Sequence, residues 1–196
     1  GASQLCLFAK SDASRETPNL QFHVQPISTD KLGGSSLHDF HAFTPTVANV
    51  RPTSRGEINI TSDDSREKPK IKMNYLSTED DRKVAADGLR LVRDIVFESE
   101  TFKKYHPEEL RPGSNFQTNE ELVQEGSKFT QTIFHPVGTC KMGNDENSVV
   151  NDNLKVHGIQ NLRIIDASIM PTITSGNTNA PTIMIAEKGA DMILEK

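Results

Sequence analysis

The 196-residue sequence predicts an α+β fold, in which helices cover an antiparallel sheet and a further strand and helix return to a second sheet. Three observations predict it. Short β-rich runs fill the N-terminal part, two segments with helical periodicity follow, and an apolar run with a final helix closes the chain. An apolar strand that returns through a loop to a helix is typical of an α/β element.

The first elements are strands. They are predicted in "QLCLFAK", "LQFHVQP" and "FTPTVANVRP", where β-rich runs end at turn residues or prolines. In "LQFHVQ" apolar and polar side chains alternate, so one face should pack in the core and the other should line a cavity or face water. Residues 57–60 and 71–74 then flank a polar, turn-rich segment, which predicts a hairpin and an antiparallel sheet.

Two helices come next. In "STEDDRKVAADGLRLVRDIVFES" apolar residues recur at helical spacing, and Ser77 or Thr78 can cap the start; the predicted buried face carries Val84, Gly88, Leu91, Val92 and Ile95. A second helix is predicted over residues 119–132, with Thr118 and Glu121 as its N-terminal signal. It leads the chain directly to His135.

The last third predicts a strand over residues 162–165 that ends in Asp166, and then a helix in "NAPTIMIAEKGADMIL". Pro181 lies in the first turn of this helix, where proline is tolerated. Ile185, Gly189 and Ile193 share one of its faces.

Composition excludes several classes of function. The net charge is −5 and no Lys/Arg run is present, which argues against nucleic-acid binding. No apolar stretch reaches the roughly 18 to 20 residues that a transmembrane helix needs. The two cysteines, Cys6 and Cys140, are far apart, which favours a reducing compartment. The sequence therefore predicts a cytoplasmic location, and peripheral association of the full-length protein with a membrane stays open.

The segment "TIFHPVGTCKMG" raises the question of what His135 does. The spacing to Cys140 does not fit a metal site, and Asn144 and Asp145 stand where a phosphate-binding loop needs Lys and Ser/Thr. A cysteine nucleophile would need His135 folded back beside Cys140, so a packing role for that cysteine is favoured. A purely structural histidine after a helix remains open at this point.

A second motif, "PTITSGNTNAPT", brings glycine, two asparagines and a proline into a turn that enters a helix. Such a turn can aim side-chain amides and backbone N–H groups at a ligand. Asn177 and Asn179 can equally serve turn formation and helix capping, and the two interpretations are compatible.

Both motifs carry a resemblance to a known family. "HPVGTCKMG" and "VVNDNLKVHGIQNLRIIDASIMPTITSGNTNAPTIMIAEKGADMIL" resemble the C-terminal part of the glucose-methanol-choline (GMC) family of FAD-dependent oxidoreductases, most closely its choline and alcohol dehydrogenase branch. "VRPTSRGEINITSDD" and "PKIKMNYLSTEDDRKVAADGLRLVR" resemble the preceding substrate-domain segment.

The resemblance implies catalytic roles for His135 and Asn177. His135 matches the histidine that acts on the alcohol hydroxyl, as base or as stabiliser of the alkoxide, while hydride passes to flavin N5. Asn177 occupies the second position, which the family fills with His or Asn. Since an amide cannot exchange a proton near neutral pH, His135 is the proton-transfer candidate of the pair. Val137 matches a position that shapes the substrate pocket.

The resemblance also implies cofactor contacts. Asp166 and Ala167 match the strand end beside the ribityl and pyrophosphate groups of FAD. Asn179, Pro181 and Thr182 match the turn whose helix N-terminus approaches the flavin ring, where the helix dipole would favour the anionic reduced flavin.

One expected feature lies outside these residues, because no G-x-G-x-x-G sequence occurs in them. The resemblance therefore implies a C-terminal third: residues 1–134 as an α+β substrate-binding domain, and residues 135–196 as an active-site segment with the closing strand and helix of the FAD domain. An N-terminal FAD domain would be its partner, a small alcohol its substrate, and the isolated chain would neither retain FAD nor turn over. The competing interpretation is a non-catalytic α+β module that binds a ligand or partner.

Overall fold

The computed structural model of the chain describes residues 3–30 and 36–194. They form two compact units. The first holds the described residues up to Thr53 together with Leu76–Thr132, and the second holds Ser54–Tyr75 together with the described residues from Ile133 onward. The α+β class is confirmed. The functional boundary between residues 134 and 135 stays a prediction.

The first unit contains a three-stranded antiparallel sheet of β1 (Leu5–Ala9), β2 (Leu20–Gln25) and β3 (Thr44–Asn49), with β2 in the centre. Phe22 on β2 is 2% exposed and belongs to the core. On the opposite face, predicted to line a cavity or face water, Gln21 is also 2% exposed, whereas His23 is half-buried. The Gln21 amide lies against the Cys6 sulfur of β1, at 3.6 Å from Nε2 to Sγ.

Helix α1 (Glu79–Arg93) starts as predicted at Thr78, whose side chain accepts a hydrogen bond from the Asp81 amide. Its buried Val84 packs with Leu20 and Phe22 of the sheet. A π-helical turn follows over Asp94–Glu98. Ile95, predicted on the buried face, is 39% exposed because it lies within this π turn, whose longer period breaks the spacing on which the prediction relied.

Two shorter helices complete the first unit, α2 (Glu100–Lys103) and α3 (Asn119–Ser127). The predicted capping box of Thr118 and Glu121 at the start of α3 is present. The predicted end at residue 132 is wrong. The amides of the next three residues bond three positions back rather than four, which tightens the last turn and ends the helix.

The second unit contains the predicted hairpin, β4 (Glu57–Asn59) and β5 (Lys70–Lys72), and the final helix α4 (Asn179–Leu194). Its core consists of Val150, Leu154, Ile169, Met170 and Ile185. Of the three residues predicted to share one face of α4, Ile185 and Gly189 are buried, whereas Ile193 is 56% exposed.

The predicted strand over residues 162–165 is not formed. One isolated bridge joins Arg163 to Lys155, and Ile164 and Ile165 pack against the core. A strand needs a neighbour to complete its hydrogen bonds, and none of the described residues forms a ladder with this segment. The helix still approaches it closely, since a Cβ on Gly189 would lie 2.5 Å from Ile165 Cγ2.

Among residues 3–30 and 36–194, none of the helices combines the length and the apolar character needed to cross a membrane.

Candidate active site

The segment that carries His135 begins with a sharp change of backbone direction. Phe134 has φ of 67°, a left-handed conformation that costs a bulky residue about 1–3 kcal/mol. Three residues after His135, Gly138 has φ of 90°, which glycine adopts without penalty. His135 is therefore held between two turns, and strain of this kind is often found at functional sites.

Backbone hydrogen bonds fix the segment against the short 3-10 turn Ala167–Ile169. The Cys140 amide donates to the Ser168 carbonyl at 3.0 Å, and the Met142 amide donates to the Ile169 carbonyl at 2.8 Å. These two bonds hold the His135 segment beside the turn that follows Asp166.

His135 meets the start of α4 through both of its ring nitrogens. Nδ1 lies 2.9 Å from the Thr178 hydroxyl and 3.4 Å from the Thr178 amide nitrogen. Nε2 lies 2.8 Å from the side-chain nitrogen of Asn177. The structure thus brings His135 and Asn177 together, as the two motifs predicted. None of the described hydrogen bonds joins His135 to Cys140, which is half-buried with a free thiol.

The start of α4 is partly open to solvent. Asn177 is exposed, whereas Thr178 is only 6% exposed. Ser175, shortly before them, has φ of 63°, so a second left-handed residue shapes the turn. An exposed amide beside a half-buried histidine can reach a small ligand that approaches from the solvent side.

The residues predicted to contact FAD lie on two elements. Asp166 is exposed and caps the 3-10 turn, where its Oδ1 accepts from the Ser168 amide at 2.7 Å, and Ala167 packs at the edge of the core. Asn179 is the exposed first residue of α4 and Pro181 the third. Within the same helix, the Thr182 hydroxyl donates to the Thr178 carbonyl at 2.6 Å.

Val137, the predicted pocket residue, is half-buried and packs against the core cluster. The described hydrogen bonds join His135 to α4, whereas the bond of Asp166 is local to its own turn. Among the described residues, no group of three or more His, Cys, Asp or Glu side chains is arranged to hold a metal ion.

A charged loop follows the His135 segment. Lys141 and Ser148 bond the Asp145 carboxylate at 2.9 and 2.8 Å, and the Asn147 amide donates to it at 2.9 Å. These donors, first of all Lys141, lower the pKa of Asp145 to about 2. The Asp145 carboxylate therefore closes the loop through these hydrogen bonds.

Sequence reasoning missed Thr178. Its contact with His135 spans 43 residues of sequence and shows no local period. A signal was present in the sequence, however. Thr178 stands just before the helix, where a threonine hydroxyl usually accepts from the backbone N–H three residues on. That residue is Pro181, which has no N–H.

Comparison with known proteins identifies the family. The family model described as GMC oxidoreductase matches residues 52–186. Among curated relatives, an oxygen-dependent choline dehydrogenase of Proteus mirabilis is 45% identical over 95% of this chain and 33% of its own length. A protein of the same description from Vibrio vulnificus is 41% identical over 97% of this chain and 34% of its own length. The chain thus spans about a third of these relatives.

Solved structures agree on the fold. A pyridoxine 4-oxidase from Mesorbium loti superposes with a TM-score of 0.85 at 25% identity and covers 100% of this chain and 38% of its own. A formate oxidase from Aspergillus oryzae gives 0.78 at 28% identity, over 91% of this chain and 32% of its own. A match over more than half of the chain, together with these superpositions, places it: the chain belongs to the GMC oxidoreductase family.

Proposed function

We propose that this chain forms the substrate-side part of an FAD-dependent dehydrogenase that oxidises a primary alcohol to an aldehyde. The observation that carries the proposal is the pairing of His135 Nε2 with the Asn177 side chain at 2.8 Å, at the solvent-accessible start of α4. Curated relatives named as choline dehydrogenases support an alcohol as the substrate class.

The two residues take different roles. Histidine readily exchanges a proton near neutral pH, whereas an amide does not. His135 therefore receives the hydroxyl proton of the alcohol, and Asn177 holds the alcohol oxygen by a hydrogen bond. A positioned base of this kind contributes roughly 10²- to 10⁴-fold to the rate. Val137, half-buried on the same segment, would shape the pocket beside them.

The residues at this site fit one side of FAD, which when bound would supply the acceptor for the hydride that leaves the alcohol carbon. The Thr178 hydroxyl is turned toward His135, so the first amides of α4 are left for an outside acceptor. The N-terminus of a 16-residue helix favours negative charge. Asn179, Pro181 and Thr182 would lie at the flavin ring, and Asp166 and Ala167 at the ribityl and pyrophosphate side.

The chain alone is not expected to retain FAD, because the glycine-rich fingerprint for the pyrophosphate lies outside these residues. We propose that an FAD-binding domain completes the site. Exposed apolar side chains on α4 support such a partner, since Ile183 is 54% and Met184 58% exposed. The free thiols of Cys6 and Cys140 are consistent with the predicted cytoplasmic location.

The identity of the alcohol is a separate question. A quaternary ammonium is bound best by aromatic faces. The chain has no tryptophan, and its two tyrosines, Tyr75 and Tyr105, are 46% and 69% exposed. Any cage for choline would have to come largely from phenylalanines or from outside these residues, so we propose a primary alcohol as the substrate class.

The proposal is tested with His135→Ala in the full-length protein. Anaerobic mixing with choline and with simple primary alcohols reports alcohol-dependent bleaching of the flavin. We expect the limiting rate of bleaching to fall roughly 10²- to 10⁴-fold, with the flavin absorbance of the resting protein retained. His41→Ala is the matched control, because His41 is an exposed histidine in the first unit. An unchanged rate in His135→Ala would refute the proposal and favour a non-catalytic module.

A further inference from the structure

Two helices of this chain, α1 and α3, begin after threonines whose hydroxyl groups act as N-caps. Thr78 accepts a hydrogen bond from the Asp81 amide at the start of α1, at 3.3 Å. Thr118 accepts from the Glu121 amide at the start of α3, at 3.2 Å. In both cases the donor is the third residue of the helix, the usual partner of an N-cap threonine.

The start of α4 departs from this pattern. Thr178 precedes the helix, and its carbonyl accepts the first helical hydrogen bond, from the Thr182 amide at 3.0 Å. The third residue of the helix is Pro181, which has no N–H to donate. The Thr178 hydroxyl therefore has no capping partner at that position, and it lies 2.9 Å from His135 Nδ1 instead.

The contacts of His135 restrict where its proton can be. A neutral imidazole carries a single N–H, so one ring nitrogen donates and the other accepts. The hydroxyl of Thr178 can either donate a hydrogen bond to Nδ1 or accept one from it. The Asn177 amide nitrogen can only donate, and at 2.8 Å from Nε2 it requires that Nε2 accept. The Thr178 amide N–H also faces Nδ1, but at 3.4 Å it is the longest of the three contacts. The two shorter contacts are both satisfied when Nδ1 carries the proton and donates to the Thr178 hydroxyl.

We propose that Thr178 is a positioning residue: its hydroxyl accepts from Nδ1 and, together with the Asn177 amide at Nε2, holds His135 in the Nδ1–H tautomer. The inference rests on the proposed function, in which His135 takes the hydroxyl proton of the alcohol. This tautomer keeps the Nε2 lone pair on the side of Asn177, whose amide nitrogen donates to it in the structure. In the proposed function the alcohol displaces that contact, and the Asn177 amide then holds the alcohol oxygen. As the alcohol is oxidised, its O–H bond breaks and the proton passes to Nε2, while Nδ1–H stays bonded to Thr178.

The Thr178 backbone makes the role of the hydroxyl testable. Its amide nitrogen lies 3.4 Å from Nδ1 and can only donate. In Thr178→Val the hydroxyl acceptor is lost and that amide remains, so the neighbour of Nδ1 favours an unprotonated Nδ1. The proton would then move to Nε2, where the exposed Asn177 side chain can accept it once its amide has turned its oxygen toward the ring. Nε2 is the nitrogen that must accept from the substrate. Valine has a similar shape, and the carbonyl that starts α4 is unchanged.

The experiment uses the full-length, FAD-loaded protein with Thr178→Val, Thr178→Ser and the control Thr174→Val, an exposed threonine of the same loop. Anaerobic mixing gives the limiting rate of flavin bleaching and the half-saturating alcohol concentration. Nitrogen-15 NMR of ring-labelled histidine, with His135→Gln used for assignment, reports which ring nitrogen is protonated.

We expect Thr178→Val to lower the limiting rate with little change in half-saturation. The fall should be roughly 10- to 100-fold, less than the roughly 10²- to 10⁴-fold that a positioned base contributes, because the imidazole itself remains. The His135 signal of Thr178→Val should shift to the Nε2–H form. Thr178→Ser, which restores the hydroxyl, should recover both the rate and the Nδ1–H signal, and Thr174→Val should match the unmodified protein.

Three results would overturn the positioning role. One is an unchanged rate in Thr178→Val, another is a lower rate without a change of tautomer, and the third is equal loss in the serine and valine variants. In each case His135→Ala keeps the two questions apart. If that variant has lost alcohol-dependent bleaching, the proposed function stands and only the role of Thr178 is wrong. If it has not, the proposed function itself is wrong.

Discussion

His135 Nε2 and the Asn177 side-chain nitrogen lie 2.8 Å apart although 42 residues separate them in sequence. Two turns with left-handed residues, Phe134 and Ser175, bring the two side chains together. The pair combines a group that can exchange a proton with one that cannot, so the two can act on one hydroxyl without competing for its proton.

Replacing Asn177 with alanine should slow the reaction less than replacing His135. The amide contributes a hydrogen bond, worth about 0.5–1.5 kcal/mol, rather than a proton acceptor. We expect the limiting rate of flavin bleaching by alcohol to fall about 3- to 10-fold in the full-length Asn177→Ala protein. Asn144→Ala, at an exposed asparagine in the loop after the His135 segment, is the control. Equal rates in Asn177→Ala and the control would show that the pairing has no role in the reaction.

Replacing each of two helical glycines with alanine should change the free energy of unfolding in opposite directions. In Gly88→Ala the new Cβ would lie 2.7 Å from Val47 Cγ2, and the β-branched valine has little rotamer freedom with which to move away. In Gly126→Ala the nearest atom, Leu89 Cδ1, lies 3.4 Å away, and helix propensity improves.

Urea unfolding of both variants checks this pair, because both glycines belong to the first unit. We expect Gly88→Ala to lower the free energy of unfolding by about 1–3 kcal/mol and Gly126→Ala to raise it by about 0.5 kcal/mol. If Gly88→Ala proves as stable as Gly126→Ala, the close approach of α1 to β3 is wrong.

The loop closed by Asp145 should depend on pH. Its folded pKa of about 2 lies below the ordinary aspartate value of about 3.9. A depressed pKa stabilises the folded state above the ordinary value, and this contribution is lost as the pH falls through the folded value. We expect Asp145→Asn to be less stable than the unmodified protein at neutral pH, and the difference to shrink between about pH 4 and pH 2.

Carbon-13 NMR titration of the Asp145 carboxyl measures this pKa directly. In Lys141→Gln, which removes the largest cause of the shift, the pKa of Asp145 should move up toward its ordinary value. A carboxyl that titrates near 3.9 in the unmodified protein would contradict the described hydrogen bonds.

The elements that the sequence predicted correctly are those with local causes. The start of α1 at Thr78 and the capping box of α3 depend on residues within one turn. The strands of the first unit follow from period-two alternation, and the hairpin from its turn-rich connection. Each signal lies within a few residues of the structure it specifies, so a single sequence suffices to find it.

The wrong elements depended on distant partners. Residues 162–165 have the composition of a strand, but a strand needs a ladder of bonds to a neighbour, and the described residues supply only the single bridge between Arg163 and Lys155. Ile95 has the right spacing for the core, but it lies in the π turn Asp94–Glu98, which changes the helical period. The end of α3 was set by bonds three positions back, for which the apolar pattern gives no sign.

The site divides in the same way. The sequence by itself determined the two motifs, the family they resemble and the residue types at His135 and Asn177. Only the tertiary structure decided that the Thr178 hydroxyl lies 2.9 Å from His135. The physical reason is one of distance along the chain. That Pro181 lacks an N–H can be read from the local sequence. The imidazole that hydrogen-bonds the Thr178 hydroxyl instead lies 43 residues away and is brought there only by folding.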